Sequence, residues 1–122
     1  MLQQQYRLRR SVDLKRVRQQ GESRRHPLAI LIVDPNDLEI SRFGFIASRH
    51  VGNAIKRNRG RRLLREAVRL HLSDILPGYD CVFIVRQATP NVSFADVETA
   101  VLQLLARLDL LNKEDRSVPG RS

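Results

Sequence analysis

Seven basic side chains and one acidic one stand within the fourteen positions 56–69, and Arg57, Arg61, Arg65 and Arg69 recur four apart. Residues four apart are neighbours on a helix, where like charges destabilise by about 0.2–0.5 kcal/mol and opposite charges stabilise by as much. A ridge of one sign is tolerable where something anionic lies along it, and phosphates are the commonest such partner. At about 100° per residue, Leu63, Leu64, Ala67, Val68 and Leu70 fall on one side of this helix. Arg57, Asn58, Arg61, Arg62, Arg65 and Arg69 fall opposite, and Lys56 and Arg59 complete the basic set. One face is core, and the other meets a polyphosphate.

The same residues do not compose an active site. His26, His50 and His71 lie far apart, without metal-ligand spacing to one another or to Cys81. Asp34 and Asp37 fall in a turn, where carboxylates ordinarily bond the backbone, and this argues against a two-metal nuclease. No glycine-rich phosphate loop followed by Lys-Ser/Thr is present. No catalytic residue and no protein-bound metal are expected, and any catalysis falls to another molecule. Cys81 sits in the apolar run Cys-Val-Phe-Ile-Val and reads as a buried structural thiol, consistent with a reducing compartment.

The charge is regional. Residues 1–69 hold 17 basic and 6 acidic side chains, net +11, whereas residues 70–122 hold 5 and 7, net −2. Such asymmetry marks a surface and not a general solubility device. Nineteen of the 22 basic residues are Arg, whose planar fork suits bidentate phosphate contact and stacking. At 122 residues the prior is one compact domain. No apolar stretch approaches the roughly 20 residues that cross a bilayer, and no signal-peptide core opens the chain, so a soluble cytoplasmic protein without membrane association is expected.

The elements that must position the basic face follow from patterning. Residues 1–10, Gln-rich and then Arg-rich, are expected as a flexible basic arm. Ser11 is a candidate N-cap for a short helix with Val12, Leu14 and Val17 on its apolar side, stopped by Gly21. The aliphatic run 28–33 reads as a buried strand, 42–48 as a second strand, and a hairpin between them is the natural pairing. A further strand is possible near 23–27. Asn53 caps the basic helix, expected over 53–76 and closed by Pro77-Gly78, and 80–86 is another buried strand. Ser93 opens the last helix, whose stripe is Val97, Val101, Leu104, Leu105 and Leu108. Residues 11–111 form the expected domain, with 112–122 a disordered tail. The whole predicts an α+β, two-layer αβ sandwich with a small mixed sheet in αβββαβα-like order.

Residues 42–69 closely resemble the protein subunit of bacterial ribonuclease P. The signature is Arg57-Asn58-Arg59 followed by Arg61, Arg62 and Arg65, preceded by Gly52-Asn53-Ala54. The likeness extends outward over roughly 7–111, through Val17, Gly21, the turn Pro77-Gly78-Tyr79-Asp80 and the strand ending in Arg86. It implies an αβ sandwich with a left-handed βαβ crossover, against the ordinary right-handed rule. It also implies a catalytic ribonuclease P RNA as partner and precursor tRNA as substrate, the 5′ leader being removed with magnesium ions bound mainly by the RNA. No obligate protein oligomer is expected.

By the same resemblance Lys56, Arg57, Asn58, Arg59, Arg61, Arg62, Arg65 and Arg69 contact the catalytic RNA. A cleft between the first helix and the sheet holds the single-stranded leader. The family often carries aromatic residues where this chain has Leu14 and Arg18; Phe43 and Phe45, with Arg16, Arg18 and Arg86, are the candidates to serve there. Two other classes fit the basic face. One is a ribosomal-protein-like binder of structured RNA with no catalytic partner. The other is a DNA-binding protein using the basic helix in a major groove, which the scarcity of base-reading amides and the lack of a dimerisation heptad disfavour.

Overall fold

The computed structural model describes residues 2–112. The elements are α1 (Ser11–Gln20), β1 (Glu22–His26), β2 (Ala29–Pro35), β3 (Arg42–Ile46), α2 (Ala54–Leu70), β4 (Tyr79–Val85) and α3 (Phe94–Arg107), joined by short 3₁₀ turns. The strands form one mixed sheet in the order β1-β2-β4-β3. This is the α+β architecture that the sequence predicts.

Strand order follows strand chemistry. β2 and β4 are the apolar runs and occupy the centre, paired antiparallel over seven residues from Ala29 opposite Val85 to Pro35 opposite Tyr79. The expected hairpin between 28–33 and 42–48 does not form: β4 lies between those strands and pairs with β3 in parallel. Placing the two strands that bury both faces side by side leaves β3, which carries Arg42 and is only partly buried, for an edge. The other edge is β1, whose sequence Glu-Ser-Arg-Arg-His has no apolar residue, as suits an edge exposed to water. It is the further strand suspected near 23–27.

Alternation along the strands divides the core. On one face α2 and α3 bury Leu64, Ala67, Val68, Val97, Val101, Leu104 and Leu105 against Leu31, Phe43, Cys81, Phe83 and Val85. On the other, Val17 of α1 and Leu8 pack on Ile32 and Val82, with Leu14, Ile30, Ile46 and Ile84 half-buried around them. α1 covers only part of that face, and Val12, expected on its apolar side, is exposed. Arg10, not Ser11, occupies the N-cap position, without a side-chain cap. α2 ends at Leu70, short of the expected 76, because the chain turns through Leu72–Asp74 to bury Ile75 against Leu111. Leu70 is consequently left half-exposed.

Residues 2–10 do not extend loosely as expected. Leu2 and Leu8 are buried, Arg7 bridges Phe43 in parallel, and the Leu8 N–H donates to the Phe43 carbonyl at 2.8 Å. Two apolar side chains among polar neighbours suffice to lay this segment along the open edge of β3. The expected tail lies outside the described residues from 113 onward, while the Asn112 N–H donates to the Asp74 carbonyl at 2.7 Å.

Two close fits hold the helices to the sheet. At Gly60 of α2 a Cβ would stand 2.5 Å from Val85 Cγ1, so the absent side chain lets the basic helix lie directly on β4. Beneath α1, the fully buried carboxylate of Asp80 accepts from Arg42 Nε at 2.9 Å and Nη2 at 2.7 Å, Asn36 Nδ2 at 2.9 Å and Arg16 Nη2 at 2.5 Å. Arg16 also pairs with Asp34. Burial works against the ionised form of Asp80, but the hydrogen bonds from Arg42, Asn36 and Arg16 outweigh it and hold the carboxyl below its usual range.

Gly60→Ala should destabilise the fold by about 1–3 kcal/mol, read as a lowered Tm, because Val85 is stiff at χ1 and cannot withdraw its methyl without repacking. Asp80→Asn should cost about 3 kcal/mol, at the low end for a broken buried pair since both arginine heads keep some solvent. The stabilisation from Asp80 is fully present above the unfolded carboxyl pKa of about 3.9 and is lost as pH falls through the lower folded value. Below pH 4 the wild type should therefore lose stability that the Asn variant no longer has to lose, and an acid titration of both checks this.

Candidate nucleic-acid interface

The basic face starts from a fixed helix end. Gly52, at φ 139°, turns the chain out of the preceding 3₁₀ turn, and the Asn53 side chain accepts from the Lys56 N–H at 2.9 Å. Asn53 is the cap expected from the sequence. Along α2 the cations then diverge in their bonding. Arg57 Nη1 donates to the Gly52 carbonyl at 2.8 Å and Arg59 Nε to the Pro90 carbonyl at 2.7 Å, which orders both side chains without neutralising either. Arg61 Nη2 donates to Asn58 Oδ1 at 2.5 Å. Arg69 is paired with Glu66, the one acid of the segment, so the ridge of four like charges is neutralised at its C-terminal end. Lys56, Asn58 and Arg62 are exposed.

Arg65 differs from the rest. Its guanidinium carbon stands 5.4 Å from the ring centroid of Phe45, which in turn stacks on Phe83 at 5.8 Å between centroids. Burial depresses its proton affinity, and Arg7, Arg61, Arg62 and Arg9 push in the same direction. Two of those neighbours belong to the N-terminal segment. Arg7 and Arg9 thus join the basic face, and sequence reading missed them because nothing local indicates that residues 7–8 run along β3.

On the opposite face, α1 and the sheet bound a groove of about 760 Å³ lined by Ser11, Leu14, Lys15, Arg18, Gln19 and Ile46. Of the residues expected to serve this cleft, Leu14 and Arg18 are in place. Arg86 follows the end of β4, its Nη1 donating to the His26 carbonyl at 3.5 Å. Phe43 and Phe45 are not in the cleft: Phe43 is 1% exposed within the core, and Phe45 lies on the α2 side beneath Arg65. The alternation of β3 sends both rings to the face opposite α1 and gives the groove Gly44 and Ile46 instead. At Gly44 a Cβ would stand 2.6 Å from Leu14 Cδ2, so the glycine sets how closely α1 approaches. Arg16 is corrected too, since Asp34 and Asp80 hold its guanidinium. Ile46 and Leu14 supply the groove's apolar lining, and half-buried Ile30 and Ile84 continue the aliphatic surface on the α1 side of the sheet.

His71 bridges the ends of the helices, its Nε2 lying 2.7 Å from Glu98, and among the described residues no three of His, Cys, Asp and Glu converge to hold a metal ion. Cys81 is buried, and desolvation, then the nearby Asp80, pushes its thiol well above the ordinary value. Among the described residues no helix is long and apolar enough to cross a membrane.

A small α+β fold with an arginine face on one helix and a cation-rimmed apolar groove behind it defines a phosphate-binding protein of the nucleic-acid class. Comparison with known proteins makes this specific. The family model for ribonuclease P matches residues 2–109. A ribonuclease P protein component from Dehalococcoides mccartyi is 40% identical over 93% of this chain and 93% of its own length. One from Chloroflexus aurantiacus is 45% identical over 87% of this chain and 79% of its own. Among solved structures, the Staphylococcus aureus RNase P protein superposes with a TM-score of 0.79 at 26% identity, covering 88% of this chain and 98% of that one. The Thermotoga maritima protein does so at 0.76 and 30%, covering 83% and 96%. The chain belongs to the ribonuclease P protein family. It is the protein subunit of an RNA-dependent endoribonuclease, its partner is the ribonuclease P RNA, and RNA binding in the service of tRNA processing is its family function.

Proposed function

We propose that the α2 face binds the backbone of the catalytic RNA while the α1 groove takes the 5′ leader of precursor tRNA, so that the chain promotes release of the leader without an active site of its own. The observation that carries this is a face on which Arg57, Arg61, Arg62 and Arg65 have no carboxylate partner among the described residues. Lys56, Asn58 and Arg59 extend it, and Arg69 contributes least because Glu66 already neutralises it. Contacts of this kind fix register and orientation and read no sequence.

In the groove, Leu14 and the isoleucine floor take the apolar side of the leader bases, while Arg18 and Arg86 meet its phosphates. Base stacking on an aromatic ring contributes about 1–3 kcal/mol. With an aliphatic floor that gain is reduced, and charge carries more of the leader affinity. Magnesium ions bound mainly by the RNA supply the hydrolytic chemistry; the chain neutralises charge beside them and positions the substrate. Residues 11–111, with the packed segment before them, act as one domain, without an obligate protein oligomer, in the cytoplasm.

Purified protein, ribonuclease P RNA and precursor tRNA at low magnesium, where the RNA alone cleaves poorly, should release the leader, and Arg57→Gln with Arg62→Gln should abolish the stimulation. No stimulation by folded protein would favour a structured-RNA binder without a catalytic partner. Arg62→Gln should also lower the salt slope of RNA affinity by about 0.7–0.9, whereas Arg69→Gln should change it far less.

A further inference from the structure

At the open edge of β3, between the two surfaces, Arg7, Arg9 and Arg65 line a single pocket of about 210 Å³ with Leu14, Gly44 and Phe45. The arrangement is built by the N-terminal segment. Leu8 turns into the α1-side core, so its extended neighbours Arg7 and Arg9 turn the other way, toward Arg65. Arg65 lies over the Phe45 ring, and its Nε is buried without a hydrogen-bond acceptor. Among the described residues, no carboxylate stands within ion-pair distance of Arg7, Arg9 or Arg65, although the same protein pairs Arg16, Arg24, Arg42 and Arg69 with acids.

A buried donor without an acceptor, held over a ring and flanked by two more guanidiniums, is a cradle for a small anion. Position identifies which. Leu14 lines both this pocket and the α1 groove, while Arg65 belongs to the α2 face, so the pocket is reached from either surface, and the anion both surfaces present there is an RNA phosphate.

We propose that Arg7, Arg9 and Arg65, backed by Phe45, bind one phosphodiester of RNA at the β3 edge, where the strand on the α2 face and the strand in the α1 groove come nearest one another. The proposal rests on the RNA-binding reading above and adds to it a discrete site in which the N-terminal segment takes part. The phosphodiester belongs either to the catalytic RNA or to the leader, and the chemistry is the same for both.

Full-length protein is tested for affinity to ribonuclease P RNA across a salt series, and the reconstituted holoenzyme for affinity to tRNA with and without a leader. The variants are Arg65→Gln, Arg65→Lys and Arg9→Gln; Arg9 is exposed, so its variant tests the site even if Arg65→Gln fails to fold. Arg65→Gln and Arg9→Gln should each weaken one of these affinities about tenfold, the loss of a charge-assisted bond, and lower its salt slope by up to about 0.9. Arg65→Lys should recover only part, since an ammonium cannot lie flat on Phe45 while donating in a fork. Loss of catalytic-RNA affinity assigns the phosphate to that RNA, and loss confined to leader-bearing tRNA assigns it to the leader; either supports the site. Unchanged affinities and slopes in both Gln variants, while Arg62→Gln still weakens catalytic-RNA binding, would overturn the pocket and leave the RNA-binding reading intact. If Arg62→Gln is without effect as well, both fall.

Discussion

The buried carboxylate of Asp80 fixes the relation between α1 and the sheet, and the groove exists because of that relation. One anion on the central strand β4 receives Arg42 from the edge strand and Arg16 from the helix, and Asn36 from the loop beyond β2 closes the set. An isolated buried carboxylate would be strongly destabilising; two guanidiniums and an amide convert it into a positional device. α1 has little else to hold it in place, since Val17 is its only fully buried side chain. Gly44 then determines how near Leu14 comes to the sheet. With the helix tethered at its middle and kept off the sheet toward Ile46, a channel remains whose floor is aliphatic and whose rim is cationic.

The other surface follows the opposite electrostatic logic. Beneath α1 the arginines Arg16 and Arg42 are matched by Asp34 and Asp80, but on α2 the matching stops after Arg69 and Glu66. Holding Arg61, Arg62, Arg65, Arg7 and Arg9 near one another raises the energy of the free protein, and the proton affinity of Arg65 is depressed first by burial and then by these neighbours. The scaffold beneath is arranged to bear it: Gly60 seats the helix directly on β4, and the Phe45–Phe83 stack supports Arg65 from below. A polyanion relieves the repulsion, the arginines releasing the cations condensed on its phosphates, and that release makes binding strongly salt-dependent. The two surfaces are therefore not interchangeable, although both are basic.

Much of this was legible in the residues. The cap at Asn53, the stripe of Leu64, Ala67 and Val68, the last helix and the central strands follow from local pattern, and the Arg57-Asn58-Arg59 signature carries the family. What escaped depends on long-range pairing. A hairpin between β2 and β3 is the local solution, yet β4, more than thirty residues later in sequence, offers β2 a longer apolar partner. Strand β1 has no apolar residue to announce it. For the cleft, Phe43 and Phe45 have the chemistry of base platforms, but the strict period of two in β3 assigns them to the core side. Arg16 reads as one more surface cation until Asp34 and Asp80 are seen to converge on it, and Leu2 and Leu8 are too few to mark the first ten residues as part of the fold.

The separation of the two surfaces is the centre of this account, and tethered cleavage tests it most directly. Because Cys81 is buried with a raised thiol pKa, a cleavage reagent can be placed selectively on Asn58→Cys or on Gln19→Cys in the reconstituted complex with precursor tRNA. From position 58 the cuts should fall on the catalytic RNA, and from position 19 on the 5′ leader. Cuts from position 19 confined to the catalytic RNA, or cuts on the leader from position 58 alone, would contradict the assignment of the groove and the helix face to different strands.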